Sequence, residues 1–270
     1  MARKQPPNTA AGSEANKMTL HGFHAVLARL KRQAHSIEMI YVDESRQDPR
    51  MRDLLDLSKR LGVKLHPVDG QRIERLAPGR RHQGVVAIST DALPSLTVDD
   101  LFVNNDALPR LLLLDGVTDP RNLGACLRAA DGAGIRAVIA SKDHACPLTD
   151  AAIQTASGAA ESVNYVLVTN LVRTMQELQE RGLWLIGLAE EASTGLWEAN
   201  WASPACFVLG AEGKGLRRLV RETCDQLVHL PMMGQVASLN VAVASGIVLY
   251  EALRREQGIR PGDKSLIAPI

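Results

Sequence analysis

The apolar positions of this chain follow two periods, and their alternation predicts an α/β protein. Intervals of three and four residues mark one face of a first helix: Phe23, Val26, Leu27 and Leu30. Further helices are predicted at 51–61, 71–76, from 122, at about 150–157, at 171–181 and at 238–256. Short apolar runs typical of buried strands occur at 37–42, 63–68, 85–89, 111–114, 137–140, 163–168, 183–188, 206–209 and 227–230.

The same pattern divides the chain into two domains. Strands alternate with helices over residues 18–90, so we expect a small domain with a largely parallel sheet. Residues 91–109 contain two prolines and several Asp and Asn residues without sustained periodicity, which is typical of a linker. A second α/β domain is predicted over 110–257. The segments 1–17 and 258–270 lack periodicity, and we expect a disordered N-terminal tail and a loose C-terminal tail.

Composition and charge exclude several classes of protein. The formal net charge is +1, so no global electrostatic field indicates nucleic-acid binding. The four cysteines show no CxxC spacing, which argues against a zinc site or a disulfide framework and favours a reducing compartment. The N-terminus lacks the apolar region of a signal peptide, and no apolar run is long enough to span a bilayer. We therefore expect a cytoplasmic protein with no metal site and no membrane partner.

Polar residues stand at three predicted strand ends of the second domain. They are Asn122 and Arg128 after strand 111–114, Glu212 in a glycine-rich turn after 206–209, and Ser238 and Asn240 before the last helix. Taken singly, each has a structural explanation, such as a helix N-cap, a solvated turn carboxylate or a surface arginine. Ligands of open α/β sheets bind at the carboxyl ends of the strands, however, so three such turns in order indicate one site. The glycine spacing fits neither a dinucleotide-binding fingerprint nor a phosphate-binding loop.

These three motifs resemble those of a known family. Asn122-x-Gly-x-x-x-Arg128, Gly210-x-Glu212-Gly213-x-Gly215 and Ser238-Leu239-Asn240 are similar to the motifs of the SpoU family, S-adenosylmethionine-dependent RNA ribose 2′-O-methyltransferases of the SPOUT superfamily. The resemblance covers residues 110–256. It departs at Ala129, where relatives often carry Ser or Thr after the motif arginine. The first domain, through 22–26 and 82–84, resembles the L30e-like substrate-binding domain of bacterial 23S ribosomal RNA guanosine-2′-O-methyltransferases.

The resemblance implies a fold, a cofactor and a set of functional residues. The expected fold is a parallel α/β sheet whose C-terminal segment forms a trefoil knot, preceded by the L30e-like domain. S-adenosylmethionine would be held by six residues: Leu188, Ala189, Gly210, Leu230, Met232 and Leu239. Five residues would be catalytic: Arg128 as the central one, with Asn122, Glu212, Ser238 and Asn240 positioning it and the ribose. Because an arginine is always protonated, we expect Arg128 to bind phosphate and stabilise alkoxide charge instead of acting as a base.

The resemblance also implies partners. The expected substrate is RNA, most of all 23S ribosomal RNA, free or within a ribosome precursor, and family members are homodimers. Basic clusters at 29–32, 72–81 and 217–221 are candidate RNA contacts, with solvated helix faces as the alternative. His82 and Gln83 either face the active site or have a capping or core role. The last helix is apolar on most sides, which favours burial on more than one side, as in a dimer.

Three alternative functions remain open at this point. The chain is compatible with a transfer RNA ribose methyltransferase, with a resistance-type ribosomal RNA methyltransferase, and with a catalytically silent RNA-binding or ribosome assembly factor. The first two share the chemistry and differ in the RNA. The intact Arg128, Glu212, Ser238 and Asn240 argue against the silent alternative.

Overall fold

The computed structural model of the protein describes residues 18–80, 82–90, 96–103, 108–201 and 204–258. The predicted N-terminal tail and all but the first residue of the predicted C-terminal tail lie outside these ranges. The chain separates into two compact units, Met1–Pro94 and Ser95–Ile270, and each is described by itself.

The first unit is a four-stranded mixed sheet with helices on both faces. Its elements are β1 (Met18–His21), α1 (Phe23–Gln33), β2 (Ile37–Asp43), α2 (Pro49–Arg60), β3 (Leu65–Val68), α3 (Gly70–Leu76) and β4 (Val85–Ser89), with strand order β1-β4-β2-β3. Only β2 and β3 are parallel, because β4 is antiparallel to both β1 and β2. The prediction of a largely parallel sheet is therefore wrong here, since residue periodicity carries no information about strand direction.

The core of the first unit changes the interpretation of one basic cluster. Helices α1 and α2 pack on one face of the sheet around Val26, Ile40 and Leu54. Arg29 lies on the inner side of α1 with no exposed surface, and its guanidinium donates to the hydroxyls of Ser89 (2.9 Å) and Ser36 (3.3 Å). Arg29 is thus a structural residue, and the prediction that it contacts RNA is wrong.

The second unit contains a six-stranded sheet with strand order β10-β8-β9-β5-β6-β7. All five strand pairings are parallel, which confirms the predicted parallel α/β sheet. The elements are β5 (Leu111–Asp115), α4 (Pro120–Gly132), β6 (Ala137–Ser141), α5 (Asp150–Ala156), α6 (Ala159–Ser162), β7 (Asn164–Val168), α7 (Leu171–Glu180), β8 (Trp184–Leu188), β9 (Ala205–Gly210), α8 (Arg218–Thr223), β10 (Gln226–Val228) and α9 (Val241–Glu256).

Part of the predicted linker belongs to the second unit. Residues Asp99–Leu101 form a short 3-10 helix, and Leu101 is 1% exposed in the core that also contains Leu113 and Val208. Leu96, Val98 and Phe102 pack against the same core. Residues 96–103 are therefore part of the second unit and not a free spacer. The prolines of the segment made its apolar positions hard to recognise in the sequence.

Helix α9 is the long, weakly charged helix expected from the sequence, but it begins at Val241 and not at 238. It packs against α4, with Ala244, Val248 and Leu249 in the core. Val243 and Tyr250 are each 52% exposed, so the opposite face is uncovered in the single chain. Among the described residues, the helices are all too short or too polar to cross a bilayer.

Candidate active site

A pocket lies at the carboxyl ends of β8, β9 and β10, the edge at which parallel sheets bind ligands. Its volume is about 230 Å³, somewhat below the roughly 300–1,000 Å³ of typical small-molecule sites. All six residues predicted to hold a cofactor line this pocket: Leu188, Ala189, Gly210, Leu230, Met232 and Leu239.

The turn after β9 forms one wall and is held by close backbone contact. Ala211 pairs with Gly215 in an isolated bridge, and the Gly215 amide donates to the Ala211 carbonyl at 2.9 Å. A Cβ atom on Gly210 would lie 2.1 Å from the carbonyl carbon of Gly215, so only glycine allows this approach. Gly213 and Gly215 have φ of 74° and 60°, the left-handed region that glycine adopts without strain.

A buried carboxylate fixes the far end of this turn, and the sequence analysis missed it. Asp115, the last residue of β5, is 1% exposed. Its Oδ2 accepts from the backbone amide of Arg217 (2.8 Å), and its Oδ1 accepts from Arg217 Nε (2.6 Å). The available signal was an aspartate that ends an otherwise apolar strand, which is unusual for a buried position.

The loop after β8 forms a second wall and is fastened by two side chains. His229, which lines the pocket, bonds through Nδ1 to the Ala192 carbonyl (2.9 Å). Arg255 of α9 donates to the carbonyls of Ala199 (2.6 Å) and Leu196 (2.8 Å) and stacks over the Trp201 ring at 3.9 Å. Sequence reasoning did not identify several residues that line the pocket: Glu190, Glu191, Lys214, Arg221 and His229.

Three of the five predicted catalytic residues meet at one point. Asn240 Nδ2 donates to Asn122 Oδ1 (2.9 Å) and lies 3.4 Å from Glu212 Oε2, and Asn122 Nδ2 lies 3.5 Å from the same carboxylate oxygen. Since Glu212 also lines the pocket, its carboxylate connects this amide cluster to the cavity. The contact joins residues 118 positions apart in sequence, as the strand-end argument predicted.

Helix capping explains part of this geometry. Asn240 is the N-cap of α9, because its Oδ1 accepts from the Ala242 amide at 3.0 Å. The N-cap of α4 is Asp119, so neither Asn122 nor Ser238 caps a helix, and that structural explanation is wrong for both. Asn240 uses its oxygen for the cap and its amide nitrogen for the cluster.

The two remaining catalytic candidates are placed differently. Ser238 lines the pocket and is exposed. Arg128 is exposed and lies outside the pocket lining, and its side chain makes no hydrogen bond or ion pair with any other described residue. It follows Asn122 by six residues, which is roughly 9 Å along the helix axis. The single chain therefore does not bring Arg128 into the cluster.

Each arginine of the third predicted basic cluster forms an ion pair with a carboxylate. Arg217 pairs with Asp115, Arg218 with Glu222, and Arg221 with Glu191. In the first unit, Arg72 and Arg75 of α3 are exposed. Of the predicted RNA contacts, the α3 arginines are therefore the more available.

The cysteines carry no site in the described part of the chain. All four thiols are free, and burial raises the pKa of Cys126 to about 11 and that of Cys224 to about 12. They stay protonated at neutral pH. Among the described residues, no group of three or more His, Cys, Asp and Glu side chains is arranged to hold a metal ion.

The fold and pocket define an α/β protein with a small-molecule site at the carboxyl edge of a parallel sheet. More particularly, the chain belongs to the SpoU rRNA Methylase family, whose profile matches residues 109–250. A second profile, RNA 2′-O ribose methyltransferase substrate binding, matches residues 19–93.

Individual relatives agree with this membership. The chain is 52% identical over 236 residues to the 23S rRNA (guanosine-2′-O-)-methyltransferase RlmB of Ralstonia nicotianae, covering 87% of this chain and 95% of the relative. It is 49% identical over 244 residues to RlmB of Bordetella pertussis, covering 90% and 100%. A crystal structure of an RNA 2′-O ribose methyltransferase matches with a TM-score of 0.69 and 26% identity over 90% of each chain.

Proposed function

We propose that this protein methylates the ribose 2′-hydroxyl of a guanosine in 23S ribosomal RNA, with S-adenosylmethionine as methyl donor. The observation that carries the proposal is the position of Glu212, which lines the pocket and also contacts Asn122 and Asn240. Membership of the SpoU rRNA Methylase family and near full-length similarity to the RlmB relatives support the RNA target.

The residues of the pocket fit an adenosine-containing cofactor. Leu188, Leu230 and Leu239 offer aliphatic surface for an aromatic base, and the Gly210 backbone permits close approach because no Cβ intervenes. When bound, the cofactor supplies an electrophilic methyl group on a sulfonium leaving group.

The protein's own side chains would orient the nucleophile. In this proposal, Asn122 and Asn240 fix the Glu212 carboxylate, and these three with Ser238 position the ribose by hydrogen bonds. Arg128 binds the phosphate next to the target ribose and stabilises negative charge developing on the 2′-oxygen. The proton passes to the phosphate or to water. The exposed position of Arg128 is compatible with a role that begins when RNA binds.

The finer features of the fold are part of the same proposal. We propose a trefoil knot in the C-terminal segment and an L30e-like fold for the first unit. We also propose that the first domain spans 18–90 and that the second extends to 257 and includes the packed segment 96–103. Strand β10 pairs with β8 at the sheet edge whereas α9 packs on α4, so the chain crosses from the edge back to the sheet's face. General connection rules disfavour knots, so family membership is the main support.

We further propose that the protein acts in the cytoplasm as a homodimer, on 23S ribosomal RNA or a ribosome precursor. Val243 and Tyr250 leave an apolar face of α9 uncovered in the single chain. A second copy related by a two-fold axis would cover this face, since a self-complementary patch is sufficient for closed assembly.

Methyl transfer to defined RNAs tests the proposal. The purified protein, with a tritiated donor, should label a 23S ribosomal RNA transcript at one guanosine, and Arg128→Ala should lose most of that activity. If only transfer RNA were labelled, the substrate would be transfer RNA and not 23S ribosomal RNA. If the protein bound RNA but labelled no transcript, it would be a catalytically silent RNA-binding factor and not a methyltransferase.

A further inference from the structure

The turn that joins α3 to β4 has an unusual residue in a strained position. The Val85 amide donates to the His82 carbonyl at 2.9 Å, and the two central residues, Gln83 and Gly84, have φ of 51° and 76°. A four-residue turn with both central φ values positive is of type I′, which strongly favours Asn, Asp or Gly at its first central position. A glutamine at that position costs free energy that an asparagine or glycine would avoid.

The surroundings hold this strained backbone in place from several sides. His82 Nδ1 accepts from the Gly84 amide (3.0 Å), and His82 Nε2 bonds to Glu74 (3.0 Å). Arg46 donates to the Gln83 carbonyl and packs over the Phe23 ring at 4.8 Å. A strained backbone conformation persists only where several neighbouring contacts hold it, and such residues concentrate at functional sites.

The side chain of Gln83 is the group that this arrangement presents. It is half-buried, and its amide makes no hydrogen bond with any other residue that the structure describes. The neighbouring side chains of Arg46, His82 and Glu74 are occupied by the bonds just described, whereas the Gln83 amide is available to a ligand. A glutamine amide offers a donor and an acceptor side by side, the pattern that matches the edge of a nucleic-acid base.

We propose that Gln83 reads the edge of an unpaired base in the RNA substrate. The inference rests on the proposed function and adds a specificity-determining residue in the first unit, which contributes none of the residues that line the pocket. Sequence-specific recognition of RNA targets single-stranded loops whose bases are splayed out, and these expose the hydrogen-bonding edges that a locked amide can contact. The strain is then explained, because asparagine would suit the turn better but has a shorter reach.

Two substitutions in the full-length protein separate recognition from folding. Gln83→Gly relieves the backbone strain and removes the amide, whereas Gln83→Asn relieves strain and keeps a shorter amide. We expect both to keep the wild-type affinity for S-adenosylmethionine and an unfolding midpoint within about 3 °C of wild type. For a 23S ribosomal RNA transcript, KM should rise about tenfold with Gln83→Gly and less with Gln83→Asn, with kcat changed less than KM.

A matched control is Gln47→Ala, which removes an exposed amide beside Arg46 outside the left-handed region. It should leave KM unchanged. A wild-type KM for Gln83→Gly overturns the proposal, as does a loss of stability or cofactor affinity that accounts for its defect. If the wild type binds cofactor but labels no 23S transcript, the proposed function fails instead. The inference is then decided by whether Gln83→Gly weakens direct binding of that transcript.

Discussion

The two glycine-bearing turns that face the pocket are built in opposite ways. The first, 210–217, is fixed by contact of Gly210 with the Gly215 backbone and by the buried Asp115 that holds Arg217. The second, 231–238, is mostly exposed, with Met233 at 96%, and a Cβ on Gly234 would meet nothing within 4 Å. We find no hydrogen bond between residues 232–238 and any other described residue.

This difference assigns different tasks to the two turns. The first turn carries Glu212, whose carboxylate must meet two amides from distant parts of the chain, and such a site needs a prearranged geometry. The second turn carries Met232 and Ser238, which line the pocket without being fixed by bonds. We expect the second turn to adjust when a ligand enters, whereas the rigid first turn sets the position of Glu212.

Gly210→Ala should have the largest effect, because the new Cβ would lie 2.1 Å from a backbone carbon that cannot move without opening the turn. Overpacking of this kind costs about 1–3 kcal/mol or more, so we expect lower stability and loss of detectable cofactor binding. Calorimetric titration with S-adenosylmethionine and thermal unfolding measure both.

Gly234→Ala is the matched control in the open turn. Its Cβ has free space and its φ is not positive, so cofactor affinity should stay within about threefold of wild type. An equal loss of cofactor affinity in Gly210→Ala and Gly234→Ala would contradict the distinction between the two turns.

Arg217→Ala should have the next largest effect. It leaves the fully buried Asp115 carboxylate with only the backbone amide of residue 217. Because the Arg217 side chain is itself 47% exposed, water can replace part of its interaction, and we expect a loss of about 1–2 kcal/mol, below the cost of breaking a fully buried pair. Urea unfolding measures the loss. Arg218→Ala, which breaks an exposed pair with Glu222, should change stability little. A loss as large with Arg218→Ala would show that the helix, and not the buried anchor, is responsible.

The same contrast shows what the sequence could predict. Buried strands of the second unit were predictable because runs such as 111–114 are apolar on both faces. The strand-end rule then placed Asn122, Glu212 and Asn240 at one edge, and the structure has them in contact. The pocket-lining residues came from the family resemblance, not from periodicity.

The features that could not be predicted depend on strand direction and on contacts between residues far apart in the sequence. Strand direction in the first unit is not encoded in periodicity, and the burial of Arg29 follows from its pairing with Ser89, 60 residues away. The Asp115–Arg217 anchor joins residues 102 positions apart. Arg128 was expected at the centre of the site from the family resemblance, but the single chain leaves it exposed, as the surface-arginine alternative had it.

Asn240→Asp should have a smaller effect than Arg217→Ala, because it should reduce activity without reducing stability. Aspartate is an equally good N-cap, so α9 should keep its stability. The new carboxylate cannot donate to Asn122 and repels Glu212, so methyl transfer should fall about tenfold at unchanged stability. Asn240→Ala should lose about 1 kcal/mol of stability as well. Equal activity of Asn240→Asp and wild type would limit Asn240 to capping.

Glu251→Gln should have the smallest effect, and its pH dependence makes it informative. Hydrogen bonds from Arg254 and Arg255 hold the pKa of Glu251 below its usual value, and the same carboxylate orients Arg255 on the loop after β8. A lowered folded-state pKa stabilises the protein above the unfolded-state pKa, and this contribution is lost as the pH falls through the folded value. Wild type should therefore exceed Glu251→Gln by about 1 kcal/mol between pH 6 and 8, with the difference shrinking below about pH 4.3. Urea unfolding across this pH range measures the difference in stability. A difference that does not change with pH would mean that packing, and not the charge on Glu251, holds the loop after β8 in place.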